Sequence, residues 1–336
     1  MKTLLKKLIV PALSNKAVSS LAAPLFGCGT PVFMLHRVFD DNQRYKGISP
    51  QHLRQCLRYL KEQNYNFISL ETLIESLANK VELPKKSIVF TMDDGYLDQA
   101  QVACPIFIEY ECPITFFVIT DLLDQSLWPW DAQVSWIVDN TDKQCISLHL
   151  EDETIQVTIS DKDNRHGARE AIRNPLKEIA AENIPEIIRQ LAESADLNLP
   201  AEPPGAYQPL SWDCARDLES KGIQFAPHSM SHRILSKLDR ESCEQEILGS
   251  WKKLQKEMKS PLKVFCYPTG RVLDFGPREI SILQQAGFIG AVATTPGYID
   301  LKQDYKQQIF RIPRFELPDN MADFVQYCSW IEYAKR

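Results

Sequence analysis

An apolar run that ends in two neighbouring carboxylates restricts the possible folds more than any other part of the chain. Residues 87–92 read Ser-Ile-Val-Phe-Thr-Met, and Asp93, Asp94 and Gly95 follow directly. A short β-branched and aromatic run is typical of a parallel strand covered on both faces, and ligands of α/β folds bind at the carboxyl ends of such strands. The stretch therefore predicts a buried strand that delivers carboxylates to a site, although Asp-Asp-Gly also favours an ordinary tight turn.

A pair of histidines follows a second predicted strand. His228 and His232 come after the apolar run at residues 223–226, and their spacing can place both imidazoles on one face of a helical turn. Two neutral histidines and a carboxylate form a ligand set that suits zinc or another divalent transition metal. The sequence thus predicts that one of Asp93 and Asp94 joins the histidines at a metal ion, while the other exchanges a proton.

The two motifs, in this order, resemble the signature of the polysaccharide deacetylase family, the chitin and peptidoglycan deacetylases with the NodB homology domain. Residues 91–95, Thr-Met-Asp-Asp-Gly, resemble the family's T-F-D-D-G motif, and residues 228–232 resemble its H-S/T-x-x-H motif. Residues 265–270 resemble a strand-end motif of one branch of the family, F-x-Y-P-x-G, and residues 286–288 with 291–294 resemble the family's last helix and strand. Two ordered motifs are specific, whereas either alone would be weak.

The resemblance implies an α/β fold, a distorted parallel (β/α) barrel, and the alternation of apolar runs with helical stretches agrees with it. We predict an N-terminal amphipathic segment at residues 1–30 and a catalytic domain at residues 31–336. A mixed insertion at about residues 121–209 separates the two motifs by more sequence than the plain domain needs. The last extended segment is predicted at residues 308–314.

The insertion has two features of its own. Residues 145–158 alternate apolar and polar side chains around a turn, which predicts a hairpin. Trp128, Trp130 and Trp136 lie beside Asp131 at the start of the insertion. These aromatic rings either cap a helix onto the barrel wall or stack on sugar faces, and the sequence favours neither.

The resemblance also implies the roles of the site residues. By the family's order, Asp94, His228 and His232 would hold a divalent metal ion, with zinc as the expected ion. Asp93 would take a proton from the attacking water as general base, while the ion polarises the carbonyl. Tyr267 lies at the strand end where the family places a backbone amide on the developing oxyanion.

Two groups that the family supplies are absent from their usual places. Residues 265–270 contain no arginine to pair with the catalytic aspartate, and no histidine follows the second motif to act as the acid. From their positions near predicted strand ends, Arg311 or Arg314 could replace the arginine beside Asp93, and His36 could replace the histidine. The alternatives are a surface ion pair for each arginine and a structural role at the barrel rim for His36.

These features predict a metal-dependent hydrolase that removes N-acetyl groups from hexosamine units of a polysaccharide or glycan precursor. The same activated water could cleave an O-acetyl ester, and no residue distinguishes the amide from the ester. A glycan-binding protein of the same fold that has lost turnover is the non-enzymatic alternative. The complete set of two carboxylates and two histidines favours an active enzyme.

Charge and cysteine content bear on partners and location. A net charge of -6 over 336 residues, without a glycine-rich phosphate loop, argues against a nucleic-acid partner. The nine cysteines form no C-x-x-C pair and are odd in number, so we expect free thiols in a reducing compartment.

The N-terminal segment combines apolar residues at helical spacing with lysines on the other side. Leu5, Leu8 and Ile9 belong to the apolar face, and Pro11 breaks the run before it is long enough for an export signal. An amphipathic helix of this kind covers the barrel or lies on a membrane surface. We therefore predict a cytoplasmic protein, with peripheral membrane contact through this helix as a further possibility.

Overall fold

The computed structural model describes residues 29–38, 47–151, 153–159, 164–299 and 308–334. The predicted amphipathic helix near the N-terminus lies outside the described residues. Within them, no helix is both long and apolar enough to cross a bilayer. Every cysteine in the described part of the chain is a free thiol, as the sequence predicts.

Ten strands and twelve α-helices alternate along much of the described chain. The strands are β1 (Val32–Leu35), β2 (Asn66–Phe67), β3 (Ser87–Met92), β4 (Ile114–Val118), β5 (Cys145–His149), β6 (Thr154–Thr158), β7 (Gln224–Pro227), β8 (Val264–Cys266), β9 (Gly290–Val292) and β10 (Phe315–Glu316). The helices are α1 (Pro50–Glu62), α2 (Leu70–Asn79), α3 (Cys104–Glu109), α4 (Thr120–Leu123), α5 (Trp130–Asn140), α6 (Arg165–Leu176), α7 (Ile184–Ser194), α8 (Trp212–Ser220), α9 (Arg240–Glu257), α10 (Pro277–Gln285), α11 (Met321–Cys328) and α12 (Trp330–Tyr333). A π-helical stretch spans Gln99–Ala103, and 3-10 turns span Gly205–Tyr207 and Leu235–Lys237.

The central sheet is parallel and follows the order β10-β1-β3-β4-β7, with β2 beside the first residues of β3. β8 and β9 form a separate parallel pair. A hydrogen bond of 2.7 Å from the Leu262 amide to the Phe225 carbonyl connects β7 to the segment before β8. A single parallel bridge between Val292 and Ile312 connects β9 to the segment before β10. The strands therefore follow one another around a distorted barrel whose ladder is interrupted on both sides of the β8-β9 pair.

Strand β3 is buried along its whole length, as its apolar run predicts. Helix α1 begins after Ser49, whose side chain caps it by accepting the His52 amide at 3.1 Å. Its buried stripe, which includes Leu53 and Leu57, packs in the same apolar cluster as Phe90 of β3. Helices on the outside and neighbouring strands on either side thus fix β3 and the direction of its carboxyl end.

The segment at residues 121–209 has an apolar core of its own. β5 and β6 pair antiparallel, which confirms the predicted hairpin. Buried residues of the hairpin pack against α5, α6 and α7. Asp139 of α5 forms a buried ion pair with Arg169 of α6, and the Tyr207 hydroxyl donates to the same carboxylate at 3.2 Å. These contacts hold α5 in place at the start of the segment.

Candidate active site

The carboxyl ends of β3 and β7 bring together the three predicted metal ligands. Asp94 Oδ1 lies 3.7 Å from His228 Nε2 and 3.9 Å from His232 Nε2. One ligand atom from each residue lies within 4.8 Å of the other two, so the three residues could hold one divalent cation. Both imidazoles are buried, and two ring nitrogens with one carboxylate oxygen match the donor preference of zinc.

The backbone after β3 takes an unusual path. Asp94 has φ 90° and Gly95 has φ 106°, and a Cβ on Gly95 would lie 2.7 Å from Leu123 Cδ1, so only glycine fits there. The buried Gln99 side chain accepts the Gly95 amide at 3.1 Å and donates to the Asp93 carbonyl. Sequence reasoning missed Gln99, whose only signal is a polar residue in the first turn after the motif.

The two histidines lie on a loop, so the prediction that they share one face of a helical turn is wrong. Ser229 and His232 both adopt left-handed backbone conformations, with φ of 63° and 58°. The buried Glu246 carboxylate of α9 accepts the two amides that follow Ser229, each at 2.9 Å. By accepting two successive amides, this carboxylate stabilises a non-helical turn. The turn directs both imidazole rings towards Asp94.

The surroundings of His228 keep its ring neutral. His228 Nδ1 donates to the Cys266 carbonyl at 2.9 Å, so its proton is on Nδ1 and the Nε2 lone pair faces Asp94. Burial, followed by the neighbouring His232, lowers the pKa of His228 to about 3. A neutral imidazole with a free Nε2 is the form that binds a metal ion.

Asp93 forms a buried, two-pronged ion pair with Arg314. The Arg314 Nη1 and Nη2 groups donate to Asp93 Oδ1 and Oδ2 at 2.8 and 2.7 Å. Arg314 Nε donates to the Ala293 carbonyl at 3.0 Å, which fixes the guanidinium plane. Burial alone would raise the pKa of Asp93, but Arg314 outweighs burial and holds this pKa well below its usual range. Asp93 is therefore an ionised proton acceptor.

The structure separates the two candidate arginines and moves Tyr267 away from the predicted role. Arg311 does not pair with Asp93. Its guanidinium lies instead over the Phe275 ring, 6.0 Å from the ring centre. Tyr267 stacks on the same ring at 3.8 Å, and its hydroxyl donates to a backbone carbonyl at 3.0 Å. The Tyr267 amide donates to the Val292 carbonyl of β9 at 3.3 Å. That amide is occupied by strand pairing, so the predicted contact with an oxyanion is not supported.

His36 follows β1 directly and lies on the other side of Asp93. His36 Nε2 is 3.7 Å from Asp93 Oδ2, and its Nδ1 is 3.3 Å from Glu316 Oε1. Burial lowers the pKa of His36, but the carboxylates of Glu316, Asp93 and Asp94 outweigh burial and raise it to about 10. His36 therefore carries a proton at neutral pH. Sequence reasoning missed Glu316, which lies at the carboxyl end of β10 beside β1.

The aromatic residues of the insertion pack against one another. The Trp128 ring lies 5.9 Å from Trp136 and 6.1 Å from Tyr207, and Trp128 is only 7% exposed. This burial favours the interpretation of Trp128 as a packing residue rather than a surface on which a sugar stacks. The acid next to this cluster, Asp131, approaches one of the candidate metal ligands: its Oδ1 lies 3.7 Å from His232 Nδ1.

Comparisons with known proteins agree with the fold and with the two motifs. The sequence model of the family described as polysaccharide deacetylase matches residues 80–289, a range that includes Asp94 and His232 but neither His36 nor Arg314. The chain is 27% identical over 111 residues to the poly-beta-1,6-N-acetyl-D-glucosamine N-deacetylase of Escherichia coli (strain K12). That match covers 32% of this chain and only 16% of the relative.

Solved structures extend the likeness to nearly the whole chain. The Streptococcus pyogenes deacetylase PplD in complex with acetate has a TM-score of 0.59 at 17% identity, covering 90% of this chain and 98% of that one. IcaB from Ammonifex degensii has a TM-score of 0.55 at 16% identity, covering 92% and 98%. At such identities the likeness establishes the fold, the distorted barrel of these deacetylases. Since the family model spans well over half of its residues, the chain belongs to the polysaccharide deacetylase family, which is a family of hydrolases.

Proposed function

We propose that the protein is a metal-dependent hydrolase that removes N-acetyl groups from hexosamine units of a polysaccharide or glycan precursor. The observation that carries the proposal is the placement of three potential metal ligands beside His36 and beside Asp93, which is paired with Arg314. Family membership supports the reaction class. The name of the Escherichia coli relative makes a β-1,6-linked N-acetylglucosamine polymer the first substrate to test.

Asp94, His228 and His232 would hold the ion, and zinc is the ion we expect. Their fit rests on the short distances between the ligand atoms and on the neutral Nδ1–H form of His228. When bound, such an ion supplies a Lewis acid that polarises the acetyl carbonyl and makes water easier to deprotonate.

The proton-transfer steps are assigned to Asp93 and His36. Arg314 keeps Asp93 ionised, and Asp93 Oδ1, which accepts a hydrogen bond from Arg314 Nη1, has a second lone pair that can accept a proton from the attacking water. As the carbon–nitrogen bond of the amide breaks, His36 gives its proton to the leaving nitrogen. The products are acetate and a free amine, and the proton taken by Asp93 balances the one that His36 donates.

The alternative of a glycan-binding protein without turnover depended on a missing arginine and a missing histidine. Arg314 pairs with Asp93 at 2.7 Å, and His36 Nε2 lies 3.7 Å from Asp93 Oδ2, so both are candidates for those two groups. This is the support for an active enzyme. We also propose that the enzyme works in the cytoplasm or at a membrane surface, in keeping with its free thiols, and fractionation of native cells would test that location.

The function is tested by measuring acetate release from N-acetylglucosamine oligomers with β-1,6 and β-1,4 links, with zinc present. We expect release from at least one of these oligomers, and we expect Asp93→Asn to bind zinc normally but release no acetate. Faster release from an O-acetylated oligomer would favour the esterase instead. Zinc-loaded protein that releases acetate from none of the substrates would contradict the proposal.

A further inference from the structure

A carboxylate from the insertion faces the second histidine ligand. Asp131 lies in the first turn of α5, and its Oδ1 is 3.7 Å from His232 Nδ1. Both atoms are buried, and neither has a hydrogen-bond partner among the residues that the structure describes. Leaving two buried polar atoms unpaired is costly, so two that face each other point to an interaction that a small movement completes.

The other histidine ligand has an acceptor in the equivalent place. His228 donates from Nδ1 to the Cys266 carbonyl, which leaves its Nε2 for the metal site. His232 also directs Nε2 towards Asp94, at 3.9 Å, so it needs an acceptor behind its Nδ1 to hold the same tautomer. Asp131 is the acceptor that the structure provides.

The position of Asp131 is set by the core of the insertion. Its backbone carbonyl accepts Arg173 Nη2 of α6 at 2.8 Å and the Ser135 hydroxyl at 3.0 Å. About two turns further along the same helix, α5 is held to α6 by the ion pair between Asp139 and Arg169. These contacts fix the backbone at Asp131, the position from which its side chain faces His232.

We propose that Asp131 is a positioning residue for the metal centre: it accepts the Nδ1–H group of His232 and thereby fixes the tautomer and orientation of that ligand. This inference rests on the proposed metal site. A carboxylate that accepts a hydrogen bond from a metal-bound histidine also makes the other ring nitrogen a stronger electron-pair donor to the metal. Losing such a carboxylate typically weakens metal binding by about 10- to 100-fold. The insertion is then part of the metal centre as well as a separate apolar core.

The test measures zinc affinity of the full chain by competition with a chromophoric chelator. We expect Asp131→Asn to bind zinc about 10- to 100-fold more weakly than the parent, and Asp131→Glu, which keeps the charge, to recover part of the loss. Asp139→Asn is the matched control, because it weakens the same helix without touching His232. It should lower the melting temperature and leave zinc affinity unchanged. The visible spectrum of cobalt-loaded protein should change in Asp131→Asn and not in the control.

Each result decides between the two proposals. Equal zinc affinity in Asp131→Asn and the parent would overturn the positioning role while leaving the metal site intact. The same would follow if Asp139→Asn weakened zinc binding as much as Asp131→Asn did, since the effect would then come from a loosened insertion. If the parent itself bound no zinc, the proposed metal site would fail, and the role of Asp131 would fail with it.

Discussion

Replacing Arg314 with methionine should lower the free energy of unfolding by about 3–5 kcal/mol at neutral pH, the range for breaking a buried ion pair. Arg314 is 0% exposed and Asp93 is 1% exposed, so water cannot replace the lost partner. Methionine fills much of the space but donates no hydrogen bond. The Arg314→Met protein must therefore bury an ionised carboxylate without its main counter-charge, or keep that carboxylate protonated.

The size of this loss should depend on pH. In the parent, Arg314 outweighs burial and holds the folded-state pKa of Asp93 below its unfolded value of about 3.9. The ionised group therefore adds stability above that pH, and this stability is lost as pH falls through the folded-state pKa. Without Arg314, burial dominates and moves the folded-state pKa of Asp93 above the unfolded value. The penalty in Arg314→Met is then greatest at neutral pH. It begins to fall as pH drops below the raised pKa of Asp93 in the variant, and it is lost only as pH approaches the depressed pKa of Asp93 in the parent.

Urea unfolding of metal-free protein at about pH 7.5 and about pH 5 measures both effects. The double variant Arg314→Met with Asp93→Asn should recover much of the loss, because it removes the unpaired charge. Arg240→Met is the control: Arg240 pairs with Glu244 at 2.9 Å, and both side chains are exposed, so its loss should cost less than about 1 kcal/mol. A loss in Arg314→Met as small as that of the control, or one that is equal at both pH values, would refute the reasoning.

Four further predictions concern the site. Asp94→Ala should remain folded and lose zinc binding, so metal content equal to that of the parent would contradict the ligand assignment. His36→Ala should lower the catalytic rate by about a hundredfold with metal content unchanged, and a full rate per folded molecule would exclude it as the acid. Glu316→Gln removes a carboxylate that raises the pKa of His36, so the alkaline limb of the pH–rate profile should move to lower pH. An unchanged alkaline limb would show that Glu316 does not control the protonation of His36 during catalysis. Glu246→Ala should cost about 1–3 kcal/mol of stability by leaving two amides unpaired, and should weaken zinc binding in a chelator titration. Parental stability in that variant would show that the turn does not need the carboxylate.

The sequence could predict the metal half of the site because local patterns determine it. The apolar run of β3 and the shorter run before His228 both identify strands, and parallel strands place their carboxyl ends at one edge. The carboxylates and histidines that follow directly must then lie near each other. No pattern in the sequence indicates the left-handed residues of the histidine loop, because the stabilising carboxylate comes from Glu246 in α9.

The half of the site that contains the arginine beside Asp93 could not be predicted residue by residue, because it depends on the path of the irregular segment before β10. Residues 308–314 were predicted to be extended, but in this range only Ile312 makes a strand bridge, and the strand itself is Phe315–Glu316. In a regular strand, side chains three residues apart point to opposite faces, but a turn before Ile312 removes that relation. The choice between Arg311 and Arg314 is therefore made by the tertiary structure. Asp131 is a similar case, since nothing near it in sequence indicates contact with His232.

The two halves of the site depend on different strand pairings, and Asp93 joins them. The proposed metal ligands follow β3 and β7, which are held together through β4 by several registered residue pairs. His36 follows β1, and Glu316 is the last residue of β10. Strand β10 has only two residues, which pair with β1 as Phe315 with Phe33 and Glu316 with Met34. Asp93 follows β3 but forms its ion pair with the residue just before β10. A change in β10 should therefore disturb proton transfer while the metal ligands keep their places, whereas a change in β7 should do the reverse.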